Sequence, residues 1–105
     1  MIDLKDLYDE LAEVYPTAYW SFPVGQNVTP PYIVYFENGT DNFGADNKTY
    51  HIRREISVEL YTRHKDPDAE EAVEAVFDAL ELFWDKTEAF LDDENVYEVI
   101  YSLEV

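Results

Sequence analysis

Between residues 50 and 80 the hydrophobic period changes, and this constrains the fold more than any other feature. From Tyr50 to Tyr61 the pattern alternates: Tyr50, Ile52, Ile56, Val58 and Leu60 point one way, and His51, Arg53, Glu55, Ser57, Glu59 and Tyr61 the other. Period two is the mark of a β-strand with one buried face; Arg54 interrupts the apolar row near its middle. After Asp66 the period lengthens to that of an α-helix. Ala69, Val73, Val76, Leu80 and Phe83 form a stripe that Ala72, Phe77 and Trp84 widen, while Glu71, Glu74, Asp78, Glu81 and Asp85 line the opposite side. Asp66 suits the N-cap and Pro67 the first helical position, and Asp68, Glu70 and Glu71 favour the positive end of the helix dipole. A half-buried strand and a striped helix bury their apolar sides against each other, which predicts helix on sheet.

The remaining elements agree. Leu4, Leu7, Tyr8, Leu11, Val14 and Tyr15 carry helical spacing, with Asp3 placed as N-cap and Pro16 just past the end. Residues 18–22 (AYWSF) are β-prone and short, and Pro30 and Pro31 then break regular structure. The continuous apolar run YIVYFE (32–37) reads as a strand covered on both faces. Asn38-Gly39 reads as the start of a turn, so a loop is expected to run to about Thr49. A closing hairpin is expected from TEAFL (87–91), the acidic turn DDEN, and a strand in which Tyr97, Val99, Tyr101, Leu103 and Val105 alternate with Glu98, Ser102 and Glu104. The expected fold class is α+β: a single domain over residues 1–105, in the order α-β-β-β-α-β-β, with two helices packed on a mostly antiparallel sheet.

Composition narrows the function. The formal net charge is -17, distributed as -5 over residues 1–39, +1 over residues 40–65 and -13 over residues 66–105. Binding to a nucleic-acid backbone would begin from repulsion, whereas partners with basic surfaces would be attracted. The chain has no cysteine, which removes thiol nucleophiles, thiolate metal sites and disulfides. The opening MIDLKDLYDE lacks the basic and apolar regions of a signal peptide, and no apolar stretch reaches the ~18 residues of a membrane span, so a soluble protein made in the cytoplasm is expected. The three Asn-x-Thr sequences at Asn27, Asn38 and Asn47 are read as turn residues.

Catalytic constellations are missing from the pattern. His51 and His64 sit at opposite ends of one strand, too far apart to share an ion. The loop DNFGADN lacks the spacing and final glutamate of a calcium loop. Ser21, Ser57 and Ser102 have no nucleophile-elbow context, and the three glycines make no phosphate loop. No enzyme activity, cofactor or metal is therefore expected. What stands out instead is Phe43, set between Asn42 and Gly44 in a polar segment where an aromatic needs something to cover it.

The segments DNFGADNKTY, VELYTRHKDP, DKTE and YEVIYSLEV, spread over residues 32–105, resemble the tail-completion or tail-terminator proteins of long-tailed phages and prophages of Gram-positive bacteria. That resemblance implies a structural subunit of the virion, made in the host cytoplasm. It would form a ring, by expectation a hexamer, at the head-proximal end of the tail. Its partners would be further copies of itself, the major tail-tube protein and neck proteins, with DNA passing through the lumen unread and no membrane involved. In such a ring Asn42, Phe43, Asp46, Asn47, Lys48, Arg53, Arg54 and Arg63 are the expected subunit or partner contacts. Glu71, Glu74, Asp78 and Glu81 are the expected acidic complement or lumen face. Two other readings stay open: a head-closure ring, and an acidic protein that imitates DNA charge.

Overall fold

The structure, a computed structural model, describes residues 3–23, 25–45, 48–91 and 95–104, and for residues 39–54 the main chain alone. Helix α1 (Leu4–Ala12) is followed by strands β1 (Thr17–Tyr19), β2 (Tyr32–Ala45) and β3 (Lys48–Thr62), helix α2 (Pro67–Ala79), and strands β4 (Trp84–Leu91) and β5 (Val96–Glu104). This is the expected α-β-β-β-α-β-β order. The five strands form one mixed sheet in the order β1-β2-β3-β5-β4. Only the β1–β2 pairing is parallel; the other three are antiparallel.

Both helices are capped as their sequences foretell. Asp3 accepts from the Lys5 amide, and Asp66 accepts from the Ala69 amide with Pro67 opening the helix. They pack on one face of the sheet. Leu7 and Leu11 from α1, with Ala69, Val73 and Phe77 from α2, share a core with Ile33, Tyr35, Ile56, Val58, Leu60, Val99, Tyr101 and Leu103. The strand residues are the alternate positions of β2, β3 and β5, so a single pleated face supplies this cluster. Phe77 and Tyr101 meet edge to face at 5.1 Å. No described helix is long and apolar enough to cross a membrane.

Two expectations need correction. Helix α2 stops at Ala79 and does not carry its stripe to Phe83. Glu81 adopts a left-handed backbone, φ 58°, and the Leu82 amide donates to the Phe77 carbonyl at 2.9 Å, closing the helix end. The reversal leaves Phe83 88% exposed and moves Trp84 into β4, where it packs edge-on against Tyr101.

The second correction is larger. The expected loop over 38–49 is strand at residues 38–45 and 48–49, where β2 and β3 stay paired as far as Ala45 and Lys48. Asn38-Gly39 forms a bulge where the register shifts between Glu37 and Gly39, and Asn38 Nδ2 donates to Ser57 Oγ at 2.6 Å. A bulge takes up one extra residue and sharpens the twist without ending the ladder, which is why a turn-like dipeptide misleads here.

Candidate interaction surface

The β2–β3 hairpin outruns its sheet. Strand β1 pairs with β2 only up to Tyr35, and β5 pairs with β3 only from Glu55 onward. From Gly39 to Ala45 and back from Lys48 to Arg54 the ladder is therefore two strands wide, an arm about 20 Å long at strand rise. The molecule is correspondingly elongated, 50 × 29 × 24 Å. An isolated two-stranded hairpin is at best marginally stable in water, so such an arm gains from a partner. Asn42 and Phe43 lie on its β2 strand, opposite Ile52 and His51. Lys48, Arg53 and Arg54 lie on its β3 strand, the latter two opposite Asp41 and Thr40. Asp46 and Asn47 fall outside the described residues. Arg63 is exposed just beyond β3.

The charges on the helix side are largely satisfied within the chain. Glu70, 3% exposed, receives Lys86 Nζ at 2.9 Å and Lys65 Nζ at 3.0 Å on Oε1, with Lys65 2.8 Å from Oε2. Lys65 also pairs with Glu88, and Lys86 donates to Glu74 Oε2 at 2.8 Å. The same Glu74 oxygen accepts from Tyr101 Oη at 2.8 Å. This network ties α2 to β4 and β5. It engages Lys65 within the chain and turns Glu74 inward, away from the expected acidic face. Glu71, Asp78 and Glu81 remain exposed, with Asp78 accepting from Trp84 Nε1 at 3.0 Å.

The hydrogen bonds they donate to carboxylates hold both lysines above the usual 10.5, to Glu70 and Glu88 for Lys65 and to Glu74 and Glu70 for Lys86. Because the folded-state values are raised, these pairs stabilise the fold fully below 10.5 and lose that contribution as pH climbs through the folded values. The stability gap between the wild type and the double variant K65M/K86M should therefore narrow as pH climbs above 10.5. The check is a chemical-denaturation midpoint from pH 8 to 12: the wild-type midpoint should fall with a lysine-dependent component that the variant lacks.

The opposite face of the sheet carries no helix. The connection from β1 to β2 crosses it and lays down aromatic rings. Trp20 stacks on Phe36 at 4.9 Å and 16°, Phe22 meets Tyr32 edge-on at 5.6 Å, and Tyr32 stacks on Tyr61 at 4.9 Å and 17°. Trp20 is 62% exposed and sits at φ 68°, a region costing a bulky residue on the order of 1–3 kcal/mol.

At the middle of this face, the register aligns Val34, Glu59 and Ile100 across β2, β3 and β5, with Tyr32, Tyr61 and Glu98 in the next row. Tyr61 Oη donates to Glu59 Oε1 at 2.9 Å, and Glu98 is only 9% exposed. Burial raises the Glu59 carboxyl above its ordinary value, opposed by the Tyr61 hydrogen bond and reinforced by Glu98. Among the residues whose side chains the structure describes, no lysine, arginine or histidine pairs with either carboxyl. The alternation that marked β3 as a strand contained this signal, since Glu59 alternates with core residues on the central strand. Its surroundings, however, come from β2 and β5.

Glu59 has a definite pH signature. Its folded value lies above the ordinary 4.5, so the fold favours the neutral acid and loses stability as pH rises through that window. Glu59→Gln should raise the denaturation midpoint at pH 7 and show no advantage below pH 4.5, where the native side chain is itself neutral. Equal midpoints at both pH values would contradict this.

Near the foot of the arm an open groove of about 410 Å³ has an apolar floor of Ile56, Trp84 and Leu103, flanked by Phe83 and rimmed by Glu55 and Glu104. Among the described residues, no group of three or more histidines and acids is placed to hold a metal ion.

No family model matches the chain, and no curated protein matches it. Among solved structures it is similar to a chain from the virion of a native gene transfer agent particle, with a TM-score of 0.63 and 12% identity, over 93% of this chain and 88% of that one. At that identity the likeness is one of fold.

Proposed function

We propose that this protein is a structural virion component that works by fitting against copies of itself and neighbouring virion proteins, with no bond-breaking step of its own. The observation that carries the proposal is the shared fold with a chain of a gene transfer agent virion along nearly the whole length. The two-stranded arm supports it, because a segment reaching beyond its own sheet suits contact with another subunit. More specifically, the protein is a tail-terminator or tail-completion subunit, closing into a ring, a hexamer in our reading, at the head-proximal end of a tail. Its neighbours there are the tail tube and the neck. In a head-to-tail ring each subunit presents two unlike faces, and a projecting arm and a flat sheet face meet that requirement. Residues Asn42, Phe43, Asp46, Asn47, Lys48, Arg53 and Arg54 serve as the arm's contacts, with Arg63 near its root.

Imaging of the purified chain, alone and mixed with tail tubes, tests this. Rings, or caps at one tube end, are expected. Particles that never exceed a monomer and never bind tubes would refute it. Phe43→Asp is the matching point variant: it should melt at the temperature of the wild type and fail to assemble. If it unfolds instead, Phe43 belongs to the protein's own packing.

A further inference from the structure

We propose that the helix-free face of the sheet is the seat for the hairpin arm of a second copy of this chain, with Glu59 and Glu98 receiving cationic side chains from that arm beside the Trp20–Phe36 stack. This rests on the self-assembly reading above and deepens it by naming the surface that the arm occupies.

Three observations converge. The first is where the chain keeps its cations. Of its seven lysines and arginines, Lys65 and Lys86 are consumed by the α2 network and Lys5 pairs with Asp9 at 3.6 Å. Of the other four, Lys48, Arg53 and Arg54 belong to the arm and Arg63 is exposed just past the end of β3, so most of the remaining basic charge that can meet another molecule lies on the arm.

The second is where unanswered carboxyls lie. Glu71, Asp78 and Glu81 on the α2 side are exposed, and an ion pair with a hydrated carboxylate adds little. Glu59 and Glu98 differ. Both are already largely withdrawn from water, Glu59 accepting from Tyr61 and Glu98 lying opposite Tyr61 in the register, with no cation against them among the residues whose side chains the structure describes. A guanidinium arriving there meets two desolvated acceptors, and charge-assisted bonds in such a setting are the strong ones.

The third is the apolar frame. Val34 and Ile100 flank Glu59, and Trp20 on Phe36 offers a broad ring face at one end of the same surface. Aromatic shelves beside carboxylates bind arginine through stacking as well as charge. The left-handed backbone at Trp20 fixes an indole on a surface that leaves it mostly in water, which makes sense if a partner covers it. One molecule therefore carries a cationic arm and a carboxylate-centred aromatic seat at different places, the arrangement a head-to-tail ring uses.

The absence of native cysteine allows a clean test. Ser21→Cys places a thiol on the exposed margin of the face, and Thr49→Cys places one on the arm. The two single variants, differently tagged, are mixed at high concentration and oxidised. The expected result is a mixed disulfide exceeding either self-disulfide severalfold. Adding Glu59→Gln and Glu98→Gln to the Ser21→Cys partner should cut that yield severalfold while the same doubly substituted chain keeps the circular dichroism spectrum and cooperative melting of the wild type, so loss of docking cannot be charged to loss of folding. If Thr49→Cys cross-links instead to Glu71→Cys on α2 while rings still form, the seat is wrong and the ring reading stands. If the double variant S21C/T49C cross-links within one chain at high dilution, the arm serves its own subunit and the inference falls. Neither cross-links nor assembled particles at any concentration would sink both.

Discussion

Replacing residues 40–54 with an Asn-Gly turn should leave a folded chain that no longer assembles. The excised ladder has no third strand, so its removal withdraws none of the core residues from α1, α2, β3 or β5. The cut joins Gly39 to Glu55, partners in the existing register, and Asn-Gly is the dipeptide that two-residue hairpins prefer. Shortening the connection also slightly reduces loop-closure entropy, by about 0.6 kcal/mol per halving. The thermal midpoint should thus stay within a few degrees of wild type, while ring formation and tube capping disappear. Circular dichroism reports the first outcome and light scattering with imaging the second. A truncated chain that assembles normally would remove the arm from the mechanism. One that loses most of its stability would show that the arm packs on its own subunit.

The largest effect on folding is expected from Phe77→Ala. Phe77 is fully buried on α2, edge-on to Tyr101, in the cluster that joins both helices to β2, β3 and β5. Truncating a buried phenylalanine removes its transfer energy and leaves a cavity, a loss of about 3–5 kcal/mol. Domains of this size hold only about 5–15 kcal/mol in total, so the variant should be near unfolding at 37 °C. The two experiments separate the molecule into parts. Urea denaturation of Phe77→Ala should show a midpoint far below wild type, while the arm deletion changes it little. Phe83→Ala makes a control, because Phe83 is exposed and its removal should hardly move the midpoint.

The lysine–glutamate network is less decisive than its appearance. Lys65 and Lys86 keep partial access to water and can turn to solvent if Glu70 is removed, so the loss should be smaller than for a fully enclosed pair. Its main consequence is for assembly. By answering Glu70, Glu74 and Glu88 internally, it leaves the carboxyls of the opposite face as the places where an incoming cation gains most.

Local pattern alone determined the helices, their caps at Asp3 and Asp66, the alternation of β3 and β5, and the order of elements, because periodicity and capping depend on neighbours within a few residues. Charge totals also showed that the basic residues cluster between positions 48 and 65. Other features waited for the fold. Asn38-Gly39 has the same letters as a turn but becomes a bulge because the β2–β3 ladder continues past it, with Asn38 left unpaired and bonded to Ser57, the residue opposite Phe36. Glu74 has the spacing of a solvent-facing helix residue, yet Lys86 and Tyr101 reach it from β4 and β5. Glu59 reads as one more surface acid until register brings Val34, Ile100 and Glu98 around it from strands far away in the chain. Secondary structure follows from contacts the chain makes with itself nearby; the environment of a side chain is set by residues that only tertiary pairing brings together.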